Sequence, residues 1–251
     1  MKVLVLGGTS EGRYFAQELY DQGFDVIYSI AGLVRSITMD CRVISGGFTQ
    51  FGGLVNFVNK ENVDLILDAT HPYAINISNH AVTASHQSGV TLCRFLRPAW
   101  SSTSKDHWIL YSQWSDLLPQ IAKKKSIFFS VGQIDEKTIQ QLAQLTQGKQ
   151  KQIIRTAVAP GFKLPESTVW IQDIGPFDFD QECQLLTQYR VDAVVSKNSG
   201  GTATWPKIEA ARLLTIPVYL LKRPQFLNTA VTSSSVKECL SYVVTYRKQL
   251  Q

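Results

Sequence analysis

The sequence predicts an α/β protein built from two mostly parallel sheets, each flanked by helices, and three observations predict it. Short β-branched and apolar runs alternate with amphipathic segments along nearly the whole chain, the rhythm of strands wound with helices. Apolar runs end in small-residue turns that lead into helical segments, as at Leu6-Gly7-Gly8 and at Val195-Ser196-Lys197 with Gly200-Gly201. The 251 residues exceed the usual single-domain length, and 44% hydrophobic with 18% charged residues suffices for real cores.

In the first half, Lys2 to Leu6 reads as a buried strand and Glu11 to Gln22 as a helix with Phe15, Leu19 and Tyr20 near one face, stopped by Gly23. Phe24 to Ile30 and Cys41 to Ser45 are the next strands, Phe51 to Glu61 a helix, and Val63 to Ala69 a strand around Leu65-Ile66-Leu67. Asn76 to Ser88 is a helix and Val90 to Leu96 a strand. Ala99 to His107 carries Ser101, Ser102, Thr103 and Ser104 without a hydrophobic period, so the crossing between halves is expected there, with domains 1–99 and 100–251. The second half has strands Ser126 to Ser130, Gln152 to Thr156, Val169 to Asp173, Ala193 to Ser196 and Val218 to Lys222. Its helices are Asp135 to Thr146, Phe179 to Tyr189, Lys207 to Leu214 and Val236 to Lys248.

Composition narrows the function classes. The apolar start, Val3 to Leu6, is too short for a signal peptide or a bilayer span, so a cytoplasmic protein without membrane partners is expected. Cys41, Cys93, Cys183 and Cys239 lie far apart without metal-ligand spacing and read as buried thiols, with no metal. A net charge of +5 is spread out, Lys123-Lys124-Lys125 being the one run, which argues against nucleic acid and suits a small anionic ligand.

A strand that ends in glycines and feeds a helix aims backbone N–H groups and the positive helix end at one anion. Gly7-Gly8-Thr9-Ser10-Glu11-Gly12-Arg13 has this form, spaced G-G-x-x-x-G rather than G-x-G-x-x-G. Gly7 and Gly8 keep the turn tight and Gly12 lets the helix approach the sheet, so the expected ligand is the pyrophosphate of a nicotinamide dinucleotide; a plain tight turn is the alternative. The second strand ends Ser29-Ile30-Ala31-Gly32, without the acid that binds ribose hydroxyls in NAD sites. Arg35, with Ser29 and Ser36, suits a 2′-phosphate, which favours NADPH.

Asp68-Ala69-Thr70-His71-Pro72-Tyr73 follows the fourth strand at the carboxyl edge, where ligands sit in open parallel sheets. Asp68 and Thr70 are expected at the cofactor, His71 and Tyr73 at the substrate, with His71 the first candidate for a proton donor. Ser130 and Gly132 form a second strand-end turn able to offer backbone amides to the cofactor, or a plain turn. Lys197-Asn198-Ser199-Gly200-Gly201 combines a lysine, two glycines and short polar side chains ahead of a helix, an expected anion nest for substrate carboxylates or cofactor. Lys197 precedes the glycines, which departs from the phosphate loop of nucleotide hydrolases.

Three segments in this order, Gly7 to Arg13, Asp68 to Ala74, and Ser196 to Gly201 with Lys207-Ile208-Glu209-Ala210-Ala211, resemble the precorrin-6A reductase family of cobalamin biosynthesis. Ser29 to Gly32, Gly46-Gly47-Phe48 and Ile216-Pro217-Val218 with Arg223-Pro224 extend the resemblance over nearly the whole chain. It implies two Rossmann-like domains with the ligand cleft between them, NADPH as cofactor, and reduction of one ring double bond of a corrin precursor, with or without cobalt. Gln133 stands beside Gly132 where many relatives carry arginine, which weakens any role carried to that turn. The implied partner is an anionic tetrapyrrole, and a monomer or weak homo-oligomer is expected. The rival reading is a non-catalytic dinucleotide-sensing module, which has little need of the Lys197 loop. A short-chain dehydrogenase is disfavoured because no Tyr-x-x-x-Lys pair occupies a helix after a strand-end serine.

Overall fold

The computed structural model describes residues 1–32, 38–227 and 231–249, which form two units. The first unit is discontinuous: Met1–Pro98 is completed by Pro224–Gln251, and Ala99–Arg223 forms the second. This corrects the expectation that everything after residue 99 belongs to one domain. The local pattern of the last helix says only that it has an apolar face, not which sheet that face covers.

In the first unit, strands β1 (Lys2–Leu6), β2 (Asp25–Ile30), β3 (Arg42–Ser45), β4 (Leu65–Asp68) and β5 (Thr91–Phe95) are parallel. They alternate with helices α1 (Ser10–Asp21), α2 (Leu54–Glu61) and α3 (Ile75–Ser88). Val3 and Val5 of β1 face a core closed by Phe15 and Leu19 of α1, while Leu4 and Leu6 face Leu54, Phe57 and Ala81 of α2 and α3. Both faces are therefore covered, as continuous apolar runs in a parallel sheet require. Helix α2 begins later than the expected Phe51. A 3₁₀ turn at Phe48–Phe51 is followed by Gly52 and Gly53 at φ +76° and +102°, conformations that break the helix and favour glycine.

The second unit runs β6 (Trp108–Tyr111), α4 (Trp114–Ile121), β7 (Ser126–Ser130), α5 (Glu136–Leu145), β8 (Lys151–Thr156), β9 (Thr168–Gln172), α6 (Phe179–Gln188), β10 (Ala193–Lys197), α7 (Pro206–Leu213) and β11 (Val218–Leu221). The chain then returns to the first unit through β12 (Val231–Ser233) and α8 (Val236–Gln249). The sheet orders are β12-β5-β4-β1-β2-β3 and β6-β11-β10-β7-β8-β9. Each is a five-strand doubly wound order extended by one strand beyond β5 or β11. In the first unit that strand comes from the end of the chain, in the second from just before β7.

β6, α4 and β12 are elements that the sequence reading does not contain. Both β6 and β12 are short edge strands, and Leu110 of β6 is 57% exposed, so neither carries a buried pattern. Cys183 is also only half-buried on α6, in contrast to the other three thiols.

Candidate functional site

Strand order reverses between β1 and β4 in the first unit and between β7 and β10 in the second. The loops leaving the carboxyl ends of these four strands hold most of the residues singled out from the sequence, and such a reversal opens a crevice for ligands.

In the first unit, Gly7 N–H donates to the Ser29 carbonyl at 2.8 Å, carrying the β1–β2 ladder one residue past the strand. Thr9 is the N-cap of α1: its Oγ1 accepts from Gly12 N–H at 3.0 Å and donates to the Ala69 carbonyl at 2.7 Å, which ties the glycine turn to the loop after β4. A Cβ on Gly12 would stand 3.0 Å from the Gly7 Cα, so glycine lets the helix come this close. Gly8 N–H donates to the Tyr28 hydroxyl at 3.1 Å. The N–H groups of Thr9, Ser10 and Glu11 have no acceptor among the described residues. Three successive donors thus sit at the positive end of α1, enough to hold one phosphate.

A carboxylate stands beside these donors. Arg97 Nη1 bonds the two Glu11 oxygens at 3.0 and 3.3 Å, and Ser10 Oγ donates to Glu11 at 2.9 Å. The arginine offsets the acid's charge where an anion would bind. Arg13 points into solvent, Ser29 is buried under the turn, Ala31 is exposed, and Arg35 lies outside the described residues.

The Asp68 loop is organised from below. Asp68, 1% exposed, accepts from Thr70 N–H and Oγ1 at 3.2 and 2.7 Å through Oδ1 and from Arg94 Nε at 3.0 Å through Oδ2. Arg94 also donates to the Ser78 and Leu227 carbonyls. Asp68, buried at the base of the loop, and Thr70, half-exposed above it, therefore shape the loop expected at the cofactor. His71 is half-exposed, and its Nδ1 accepts from Tyr73 N–H at 3.3 Å, which puts the neutral ring's proton on Nε2.

In the second unit, Ser130 leads to Gly132 at φ +77°, and a Cβ on Gly132 would lie 3.9 Å from Lys197 Nζ. The ammonium of Lys197 therefore overhangs the mid-chain turn, and burial lowers its pKa. Asn198, expected at the substrate, is engaged within the unit. Its Oδ1 accepts from Trp100 N–H at 2.8 Å, its Nδ2 donates to the Trp100 carbonyl at 3.0 Å, and its own carbonyl accepts from Arg223 Nε at 2.9 Å. Ser199 is likewise buried, with Oγ 2.9 Å from Thr204 Oγ1. Both residues hold the loop. Gly200, at φ +72°, makes the turn. The helix expected from Lys207 starts one residue earlier, at Pro206, without a side-chain cap, and a 3₁₀ turn at Thr202–Thr204 separates it from Gly201. The loop thus offers Lys197 and glycine backbone rather than a helix end.

Beneath it lies a buried charged cluster that the sequence reading misses. Arg155 of β8 pairs with Glu182 of α6, and Lys207 of α7, 2% exposed, donates to the Thr204 carbonyl at 2.9 Å. Beside the mid-chain turn, a cavity of about 450 Å³ is lined by Gln133 to Glu136, Ile154 and Phe162. In the first unit a groove of about 730 Å³ is lined by residues of α1 and α8, reaching from Ser10 and Glu11 at the glycine turn past Tyr14 to Gln22, with Leu240 on the α8 side. Among the described residues no His, Cys, Asp and Glu side chains group as a metal site, and no helix is long and apolar enough to cross a membrane.

Residues 2–244 match the family described as precorrin-6x reductase CbiJ/CobK. The chain is 34% identical over 255 residues to the precorrin-6A reductase of Rhodococcus erythropolis, covering 99% of each. It is 25% identical over 245 residues to the cobalt-precorrin-6A reductase of Priestia megaterium, covering 92% of this chain and 94% of that protein. A solved CobK precorrin-6A reductase superposes with a TM-score of 0.87 at 29% identity, covering 98% of this chain and 96% of the other.

Proposed function

The chain belongs to the precorrin-6x reductase CbiJ/CobK family, and we propose that it is a cytoplasmic enzyme that reduces one ring double bond of precorrin-6A with NADPH. The observation that carries the cofactor is the trio of unpartnered amides at Thr9, Ser10 and Glu11, presented by a glycine turn at the strand-order reversal. The close approach at Gly12 and the bare Gly8 leave room beside them. NADP is favoured over NAD because β2 ends in Ser29-Ile30-Ala31-Gly32 with no acid for the ribose, and Arg35 is the proposed partner of the 2′-phosphate. The higher identity to the Rhodococcus protein, 34% against 25% for the Priestia protein, favours the metal-free substrate.

Bound NADPH supplies the hydride, and the reduced ring needs one proton besides. The protein's part is to bind, orient and deliver that proton. The amides of residues 9–11 fix the pyrophosphate. Asp68 and Arg94 hold the loop that carries His71, with Tyr73 beside it; His71 is the proposed proton donor, taking up a proton from solvent and returning from imidazolium to the neutral ring as it protonates the substrate. Lys197 receives an acetate or propionate arm of the substrate, and a carboxylate there would raise its burial-lowered pKa again. Ser130 and Gly132 border this position, and the Gly200-Gly201 backbone completes it.

The test is anaerobic incubation of the protein with NADPH and precorrin-6A, or its cobalt form, following oxidation of the cofactor. Turnover with precorrin-6A is expected, with NADH markedly poorer. Oxidation of neither cofactor in the presence of either macrocycle would reject the reading.

A further inference from the structure

We propose that Tyr28 is the positioning residue of the glycine turn, its hydroxyl drawing the Gly8 N–H inward so that the amides of Thr9, Ser10 and Glu11 remain for one phosphate. This rests on the dinucleotide reading above and adds to it a residue outside the glycine motif.

The β1–β2 register places Tyr28 opposite Val5, two residues before the turn. Its ring lies against Gly7, where a Cβ would be only 2.1 to 2.6 Å from ring and hydroxyl atoms. Gly7 is thus a glycine because Tyr28 occupies the space of its side chain. The hydroxyl then accepts the Gly8 N–H at 3.1 Å. Tyr28 is 0% exposed, so it does not touch a ligand and acts through the turn.

Two adjacent glycines, one at φ +96°, form the most freely rotating peptide the chain can make. Without an anchor, that peptide must be ordered when the phosphate binds, which opposes binding. The phenol orders it beforehand. Since the Gly8 amide is turned inward, the phosphate is held by three amides rather than four.

The experiment compares the full-length wild type, Tyr28→Phe and Tyr246→Phe by titration with NADPH. Phenylalanine fills the same space and removes one hydrogen bond. Tyr246→Phe also removes one, to Thr91 at 2.9 Å, but at the amino end of β5, away from the turn. Tyr28→Phe is expected to weaken NADPH binding about three- to tenfold, the usual weight of one hydrogen bond, with Tyr246→Phe unchanged. Amide exchange supplies the second measurement: Gly8 N–H is protected in the ligand-free wild type while the amides of Thr9 and Ser10 exchange fast. Equal NADPH affinity in Tyr28→Phe and wild type, or Gly8 exchanging as fast as Thr9, overturns this inference and leaves the dinucleotide reading standing. A wild type that binds no NADPH overturns both.

Discussion

Lys207 shows how much a single buried charge governs. Burial lowers its pKa to about 7 from the 10.5 of an exposed lysine, the pull of Glu182 only partly opposing this and Arg155 adding to it. Above 10.5 the amine is neutral in both folded and unfolded chains. Between 10.5 and about 7 the unfolded chain takes up a proton that the folded one refuses, so stability falls as pH drops. Below about 7 both states are charged and the dependence ends. The slope is at most about 1.4 kcal/mol per pH unit. Lys207→Met keeps the stem and removes the amine, so urea midpoints measured between roughly pH 7.5 and 9.5 should rise less with pH than in the wild type; parallel curves would refute the assignment. Buried charges such as Lys207 were not legible in the sequence; for the polar residues of the strand-end loops the types and places were, but their partners were not. Asp68 stands in the expected loop, yet its role depends on Arg94, 26 residues away, and that of Asn198 on Trp100, 98 residues away. A polar residue after a strand looks the same whether it faces a ligand or the protein.

At the scale of elements, the strands and helices that cross a core were legible because their apolar pattern is continuous, as in Val3 to Leu6 or Ile127 to Phe129. Where an element is short and half-covered, as in β6, or contains a proline, as α4 does at Pro119, the pattern fades below recognition. The glycine turn was legible for a different reason: its spacing reports a close packing between α1 and β1. Gly12→Ala tests that packing. Alanine favours a helix by about 1 kcal/mol over glycine, but its Cβ would stand 3.0 Å from the Gly7 Cα and 3.2 Å from Thr9 Oγ1. The first is backbone and the second is the cap, so the helix end must shift. Thermal stability should therefore change by less than about 1 kcal/mol, the two effects opposing each other. NADPH affinity should fall about tenfold, because the amides of residues 9–11 move together. Titration and a melting curve on the same sample check this; an unchanged affinity would show that α1 need not sit so close.

The arrangement of the whole molecule is the least legible level, since it depends on where the chain goes after Arg223. Helix α8 buries Cys239 and Val243 in the core formed by Phe15, Leu19, Cys93 and Phe95, and β12 pairs with β5. Arg247 stacks on Phe24 at 4.0 Å, and Tyr246 bonds Thr91. These partners lie more than 130 residues apart in the sequence, and no local period announces them. Asn198 is placed at both crossings, holding the Trp100 backbone just after the first and Arg223 just before the second. The discontinuity has a direct consequence for a chain ending at Arg223. Each fully buried apolar side chain is worth about 1.5 to 3 kcal/mol, and losing α8 removes Cys239 and Val243 while uncovering the face of the sheet that α1 shares. Against a typical total stability of about 5 to 15 kcal/mol, the first unit should then fail to fold. The second, whose strands all lie within Ala99–Arg223, should persist. Amide exchange on the truncated chain should show β1, β4 and β5 unprotected while β7, β10 and β11 keep their protection. Protection of β1 and β4 equal to that in the full-length chain would show that residues 1–98 fold without the returning segment.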